Sequence, residues 1–302
     1  MPYPSPVTYP SALLFPGAGS FSNLSPVGIG DLVLGAVDQH GSRWNLMKFD
    51  GWTGSPASTL ELTQRARGNG ATSNDPDITP RNMVLSGRVT NPDPAGLNAS
   101  LEDLNAAVRL DGFQLTVAET GRVRHCQAAR NGEVLTPKVN NRIATFSIQI
   151  AAEDPLKYGD LVTATTLLPR STGGLVRPST WPRTWTGVSN SGVIRVNNPG
   201  NEQAPVWLRI DGPIPAGGWS VTHQGKQQSL TFASSLALAA GEFVTVDMEQ
   251  REILAQGQAP RAGYVTSRGW FTLDPGDNDI AFSAVSDSPT AQLTVTTKPA
   301  WL

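Results

Sequence analysis

The feature that most constrains this chain is the recurrence of short segments in which apolar and polar residues alternate. The clearest is Ala144-Thr145-Phe146-Ser147-Ile148-Gln149-Ile150, where the apolar side chains share one parity. Period two puts every second side chain on one face of an extended strand, so one face is buried and the other meets water. Met83, Leu85 and Val89 alternate in the same way with Val84, Ser86 and Arg88. Apolar runs at 32–36 and 44–52 are cut by Gly and Asp, as hairpin strands are, and 113–117 and 123–128 show period two. One stretch has helical spacing instead. Leu97, Leu101, Leu104 and Val108 fall on one face, and Ser100 followed by Asp103 resembles an N-capping pattern, which predicts a helix near 100–109.

The chain of 302 residues is long enough for two domains at roughly 150 residues each. Only 16% of its residues are charged, whereas 30 Gly and 24 Pro favour turn-rich β structure over long charged helices. Residues 1–25, rich in Pro, Ser and Gly without strand or helix period, read as an extended arm or a loose terminus. A first β domain is expected over 26–158, broken by a Gly/Asn/Asp-rich loop at 65–78, where long loops usually carry contacts. Composition then shifts to Thr, Ser, Pro and Trp, giving a linker over 159–191. Residues 192–302 carry short strands at 193–196, 206–210, 219–221, 230–232, 243–247, 251–254, 270–273, 280–284 and 293–295. Many short strands without an intervening helix predict an antiparallel sandwich or jelly roll.

The chemistry of catalysis is thinly supplied. The three histidines, His40, His125 and His223, lie far apart in sequence, and no HExxH, GxSxG or P-loop pattern occurs. No catalytic residue, metal or cofactor is therefore assigned. The single cysteine, Cys126, leaves no internal disulfide and fits cytosolic synthesis. A net charge of -2 gives no basic footprint for nucleic acid. Asp274-Pro275-Gly276-Asp277-Asn278-Asp279 offers carboxylates to calcium, but Asp-Pro-Gly-Asp is better turn chemistry. Among eight tryptophans, Trp207, Trp219 and Trp270 read as strand residues packing in the core or on a sheet face. Trp181 and Trp185, in the linker, are the exposed pair that a sugar ring would stack on. No run approaches the roughly 18 apolar residues of a membrane span, and Met1-Pro2-Tyr3-Pro4 lacks the basic start of a secretory signal.

Several motifs then fall in a definite order. Gly51-Trp52 comes early, and Asp154-Pro155-Leu156-Lys157-Tyr158 closes the first half. Asn197-Asn198-Pro199-Gly200-Asn201 precedes Ala204-Pro205-Val206, and Gly241 to Asp247 follows. Trp270-Phe271-Thr272-Leu273-Asp274-Pro275-Gly276-Asp277-Asn278 and the terminal Pro299-Ala300-Trp301-Leu302 complete the series. This order resembles the distal tail protein family of siphoviruses, of the kind found in phages of actinobacterial hosts. The resemblance implies a mainly β, two-domain fold: an N-terminal β-sandwich with one helix that forms a six-membered ring, and a C-terminal galectin-like or jelly-roll sandwich outside it. It implies a structural, non-enzymatic virion protein at the distal end of the tail, assembled in the bacterial cytoplasm, joining tail tube to tail tip and letting DNA pass. Its implied partners are copies of itself, the tail tube protein and the tail-tip hub protein, together with tape-measure and receptor-binding proteins, and no membrane anchor. The motif positions expected to matter structurally are Trp52, Asp154, Pro155, Tyr158, Asn197, Pro205, Asp247, Phe271, Pro275, Gly276, Asn278 and Trp301. The competing class is a carbohydrate-binding adhesin module recognising cell-wall glycans.

Overall fold

A computed structural model describes residues 24–73, 75–172 and 188–302, and the chain divides into two compact units, one running to Gly159 and the other from Asp160 to Trp301. The expected arm at 1–25 lies almost entirely outside the described residues, as do Trp181 and Trp185. The fold is mainly β. No helix among the described residues is long and apolar enough to cross a membrane.

The first unit contains β1 (Val27–Ile29), β2 (Leu32–Leu34), β3 (Arg43–Asp50), β4 (Ser58–Thr59), β5 (Leu62–Gln64), β6 (Ala71–Ser73), β7 (Asp77–Ile78) and β8 (Arg81–Thr90). The helix α1 (Pro94–Ala107) comes next, then β9 (Phe113–Glu119), β10 (Arg122–Leu135), β11 (Lys138–Asn140), β12 (Ile143–Ala152) and β13 (Lys157–Tyr158). The main strands follow the antiparallel order β2-β1-β9-β10-β12-β8-β3. β8 and β12 pair from Thr90↔Ile143 to Arg81↔Ala152, so the alternation read from the sequence becomes a buried face of Met83, Leu85 and Val89 beside Ala144, Phe146, Ile148 and Ile150. Gly87 interrupts that apolar series because Phe146 occupies its space: a Cβ there would lie 2.8 Å from the ring and 2.2 Å from the Asn45 carbonyl. β10 pairs with β9 over its first half and with β12 over its second, with a register break between Arg130 and Val134. One strand thus serves both parts of the sheet, bent at an irregularity.

The helix starts earlier than its sequence pattern indicates. Asp93 caps it, its carboxylate accepting from the N–H groups of Ala95 and Gly96, and Pro94 fills the first turn where a missing N–H costs nothing. Ser100 is instead buried inside the helix, donating to the Gly96 carbonyl at 2.9 Å and to Ser42 Oγ at 2.7 Å. Leu97, Leu101, Leu104 and Val108 are buried, as their spacing required. The expected loop at 65–78 contains two short strands, β6 and β7: β4 pairs with β7 and β5 with β6, making a ribbon of the connection between β3 and β8.

The second unit is built of two antiparallel sheets. One has the order β14 (Val162–Leu167), β26 (Gln292–Thr297), β18 (Val206–Asp211), β21 (Phe243–Asp247), β22 (Glu252–Ala255), β23 (Ala259–Pro260). The other runs β17 (Val193–Asn198), β25 (Gly276–Ala284), β19 (Trp219–His223), β20 (Gln228–Phe232), β24 (Val265–Arg268), and β15 (Arg170–Thr172) pairs separately with β16 (Val188–Asn190). Leu208, Ile210, Val244, Val246, Leu293 and Val295 on the first sheet and Val221, Leu230, Phe232, Ile280 and Phe282 on the second are all buried. Part of the expected linker at 159–191 belongs to this unit, since Val162–Leu167 pairs along its whole length with β26. The expected strand at 270–273 does not form. Gly269 packs so closely on Ser229 that a Cβ would lie 2.4 Å from its nitrogen, and beyond it only Leu273 makes a bridge, to Ala204. Trp270 is therefore not a strand residue, whereas Trp219 is buried and stacked on Phe232 at 3.8 Å.

Candidate assembly site

In the first unit the chemistry-bearing side chains converge where β3 gives way to the ribbon. Gly51 turns the chain at φ +84°, and a Cβ there would sit 2.1 Å from the Asn82 carbonyl, so only glycine fits. Trp52 follows, buried, stacked on Phe49 at 5.8 Å, its indole N–H donating to Glu119 Oε1 at 2.6 Å. Arg81, the first residue of β8, is 1% exposed and gathers backbone carbonyls. Its Nη1 donates to Gly51 (2.8 Å), Trp52 (3.2 Å) and Gly54 (2.7 Å), and its Nε to Pro155 (2.9 Å). Lys157 donates to the Trp52 carbonyl at 3.1 Å, and its ammonium lies 5.6 Å from the Trp52 ring, with the Arg124 guanidinium at 5.9 Å. Arg81 and Lys157 thus fasten both ends of the ribbon and the Asp154-Pro155 corner to one another.

Three cations, Arg81, Arg124 and Lys157, are buried here around one carboxylate, Glu119. Burial pushes the Lys157 ammonium down to about 8, helped by the like charges of Arg81 and Arg124. Burial likewise lowers Arg81. Burial alone would raise Glu119, but hydrogen bonds from Arg124, Trp52 and Arg122 outweigh it and hold the carboxyl below its usual range. The Cys126 thiol on β10 is pushed up to about 12, chiefly by burial. With its thiolate suppressed, it is a packing residue and a poor nucleophile.

Beyond this root, the described strands of the ribbon face solvent. Every residue of β4, β5, β6 and β7 is exposed, including Leu62 at 65% and Ile78 at 44%, and Leu60 between the two ladders is 51% exposed. At the other end of β8, an open cleft is lined by Val37, Arg43, Pro92, Arg142 and Ile143 among others. Thr90, Arg43 and Ile143 are register partners there, which fixes the cleft a full strand length from the ribbon.

In the second unit, polar side chains organise turns. Asn278 is buried within β25; its Oδ1 accepts from the Asp274 N–H at 3.0 Å and its Nδ2 donates to the carbonyls of Asp274 and Gly276. His223 Nε2 lies 3.0 Å from the same Oδ1, and its ring meets Phe271 edge-on at 5.4 Å. Asn198, fully buried, donates to the Glu202 carbonyl and accepts from the Gly200 N–H. Gly200 itself is pressed against Ala300, where a Cβ would lie 1.9 Å from the carbonyl oxygen.

Residues 199–301 match the family model described as siphovirus-type tail component, C-terminal domain. Over these residues the second unit is similar to that siphovirus tail-component domain. The whole chain also resembles the crystal structure of the Dit protein of phage SPP1, presented as a paradigm of the hub adsorption apparatus in phages infecting Gram-positive bacteria. That likeness has a TM-score of 0.62 at 14% identity and covers 85% of this chain and 93% of that one. The phage P2 baseplate in its activated conformation is similar at TM-scores of 0.48 with Ca and 0.47 with Sr, each at 10% identity over 90% of this chain and 97% of that one. No curated protein matches the chain in sequence. The likeness to the SPP1 protein is one of fold.

Over residues 199–301 and the strand before them, the motif positions lie in turns and strand pairings. Asn197 donates to Asp277 at 2.7 Å across the β17–β25 pairing, and the Pro205 carbonyl accepts from Thr297. Asp247 receives the Trp207 indole N–H and the N–H groups of Glu249 and Gln250, closing the turn from β21 to β22. Phe271, Pro275, Gly276 and Asn278 share one turn, which uses Asp274 through its backbone. Trp301 is half-buried. In the first unit, Trp52 and Pro155 meet through Arg81, while Asp154 accepts from the Leu156 N–H and the Tyr158 hydroxyl. His40 pairs with Asp103 at 2.9 Å, far in the sequence from His125 on β10 and in the other unit from His223. Among the described residues no three His, Cys, Asp or Glu side chains converge as metal ligands. Arg81, Glu119, Arg124 and Lys157 escaped the sequence reading. A signal was present: Arg81 shares the parity of Met83, Leu85 and Val89, and Arg124 that of Cys126 and Ala128, so both were due to point inward.

Proposed function

We propose that this chain is the distal tail hub of a long-tailed phage, a structural protein whose copies form a closed ring between the tail tube and the tail tip. The observation that carries this reading is the extent of the fold likeness. It spans both units, with 85% of the chain covered, and the tail-component domain accounts only for residues 199–301. A head-to-tail contact repeated by a closing rotation builds such a ring from two different patches on each copy. In this reading the ring has six copies, as the family resemblance implies, with the tail tube protein and the tail-tip hub protein as neighbours above and below and the genome passing through the lumen. Tape-measure and receptor-binding proteins complete the partner set. A domain division just after Tyr158 belongs to the same reading, as does the assignment of Trp52, Asp154, Pro155, Tyr158 and Trp301 as structural rather than catalytic positions.

Mass in solution is the test. Purified full-length protein is expected to sediment as a ring-sized oligomer and to show six-fold rings in negative-stain images. A stable monomer that binds cell-wall glycans would replace this reading with that of an adhesin, and turnover of peptidoglycan by the purified protein would overturn its structural, non-enzymatic character.

A further inference from the structure

Arg81 and Lys157 are cations taken out of water without a carboxylate of their own. They are 1% and 2% exposed, and both donate to the same oxygen, the Trp52 carbonyl. The carboxylates nearby are already engaged. Glu119 accepts from Arg124, Arg122 and the Trp52 indole, and Asp154 accepts from the Leu156 N–H and the Tyr158 hydroxyl. Among the described residues, the ion pairs in this cluster join Glu119 to Arg122 and Arg124, and neither Arg81 nor Lys157 takes part in one. The remaining residues of the chain, 1–23, 74 and 173–187, contain no Asp or Glu, so they add no side-chain carboxylate to this balance.

A buried charge is paired or neutralised. Lys157 has the second route open to it, since an ammonium gives up its proton when burial and like charges disfavour it. Arg81 has not, because a guanidinium keeps its proton. Its hydrogen bonding is also lopsided. Nη1 is shared by the Gly51, Trp52 and Gly54 carbonyls and Nε takes that of Pro155, whereas Nη2 is buried with no acceptor among the described residues. The Cys126 thiol is not the missing anion, since burial keeps it protonated up to about 12. Complete burial also excludes a nucleic-acid backbone or a lipid headgroup as the source of negative charge, and leaves an ion of halide size.

We propose that Arg81 Nη2 holds a small monovalent anion, with the Lys157 ammonium as its neighbouring charge. The anion gives Nη2 an acceptor and offsets the repulsion between the two cations. It thereby completes the fastening at the root of the ribbon, since the same guanidinium bonds the Gly51–Gly54 segment and the Pro155 corner. A water molecule on Nη2 would satisfy the hydrogen bond and leave the charge uncompensated, so the experiment has to separate the two.

The probe is bromide, exchanged for gluconate at constant ionic strength so that general screening stays fixed. Bromide is expected to raise the urea unfolding midpoint of the full-length protein in a saturable manner, as a ligand of the folded state does. Lys157→Met keeps Nη2 and removes the neighbouring charge, and is expected to need at least about tenfold more bromide for the same rise. Crystals of the parent grown in bromide are expected to show an anomalous peak within hydrogen-bonding distance of Arg81 Nη2, a readout that holds even where Lys157→Met fails to fold. Density at Nη2 without an anomalous signal assigns a water and overturns the proposal. A midpoint that rises equally in parent and Lys157→Met, or without saturating, marks a general solvent effect and overturns it as well.

Discussion

Arg81 shows how much of this molecule depends on single polar side chains in unlikely places. Its guanidinium, at one end of the ribbon, holds three carbonyls at the ribbon's other end and a fourth at the Pro155 corner, a task for a planar fork of donors that an ammonium cannot reproduce. Arg81→Lys is expected to lower the unfolding free energy by roughly 3 kcal/mol in urea titration, since several charge-assisted bonds to buried carbonyls are lost at once. Lys157 and Cys126 add an opposed pH response. Lys157 falls from an ordinary 10.5 to about 8 on folding, so between those values the unfolded chain binds a proton that the folded chain has released, and stability rises with pH. Cys126 rises from 9.0 to about 12, so above pH 9 the folded chain keeps a proton the unfolded chain loses, and stability falls. The parent is therefore expected to change little between about pH 9 and 10.5. Cys126→Ala should gain up to about 3 kcal/mol from pH 8 to 10.5, and Lys157→Met should show only the decline, both by urea unfolding across that range.

At the scale of elements, α1 is held by its ends and by close contact. Asp93→Ala removes the acceptor for two free N–H groups and is expected to cost about 1 kcal/mol. Gly96→Ala separates propensity from packing. In an open helix this change stabilises by roughly 1 kcal/mol. Here the new Cβ would lie 2.6 Å from the Asn91 amide and 3.0 Å from the His40 carbonyl, and Asn91 is itself bonded to His40 and Ser42. A lowered midpoint on thermal unfolding is the expected result. The ribbon is the element the sequence understated. Its Gly, Asn and Asp content reads as loop, and its ladders are short because no core lies beneath them to enforce a longer alternation.

For the whole molecule, ionic strength is informative about how copies of the chain associate. Raising salt from about 0.1 M to 1 M contracts the screening length from ~10 Å to ~3 Å. With only 16% of its residues charged, the proposed ring is expected to hold or tighten at high salt. Dissociation between the two concentrations, read by sedimentation, would instead assign the contact to facing charges.

Strand parity, the position of one amphipathic helix face and the poverty of catalytic residues were all legible in the sequence, because each depends on spacing or supply along the chain. The buried alternation of β8 and β12 follows directly from period two, and Asn278 and Pro275 announce a turn by their local chemistry. Tertiary structure alone decided the rest. That Asp93 rather than Ser100 caps the helix depends on Ser42 drawing the Ser100 hydroxyl inward. That 270–273 leaves the sheet depends on Gly269 pressing against Ser229. Arg81, Trp52, Glu119 and Lys157 become one cluster only when four separate segments fold together, and the ribbon and cleft become opposite ends of one strand only through the register of β8. Such relations lie between residues distant in sequence, and no local pattern encodes them.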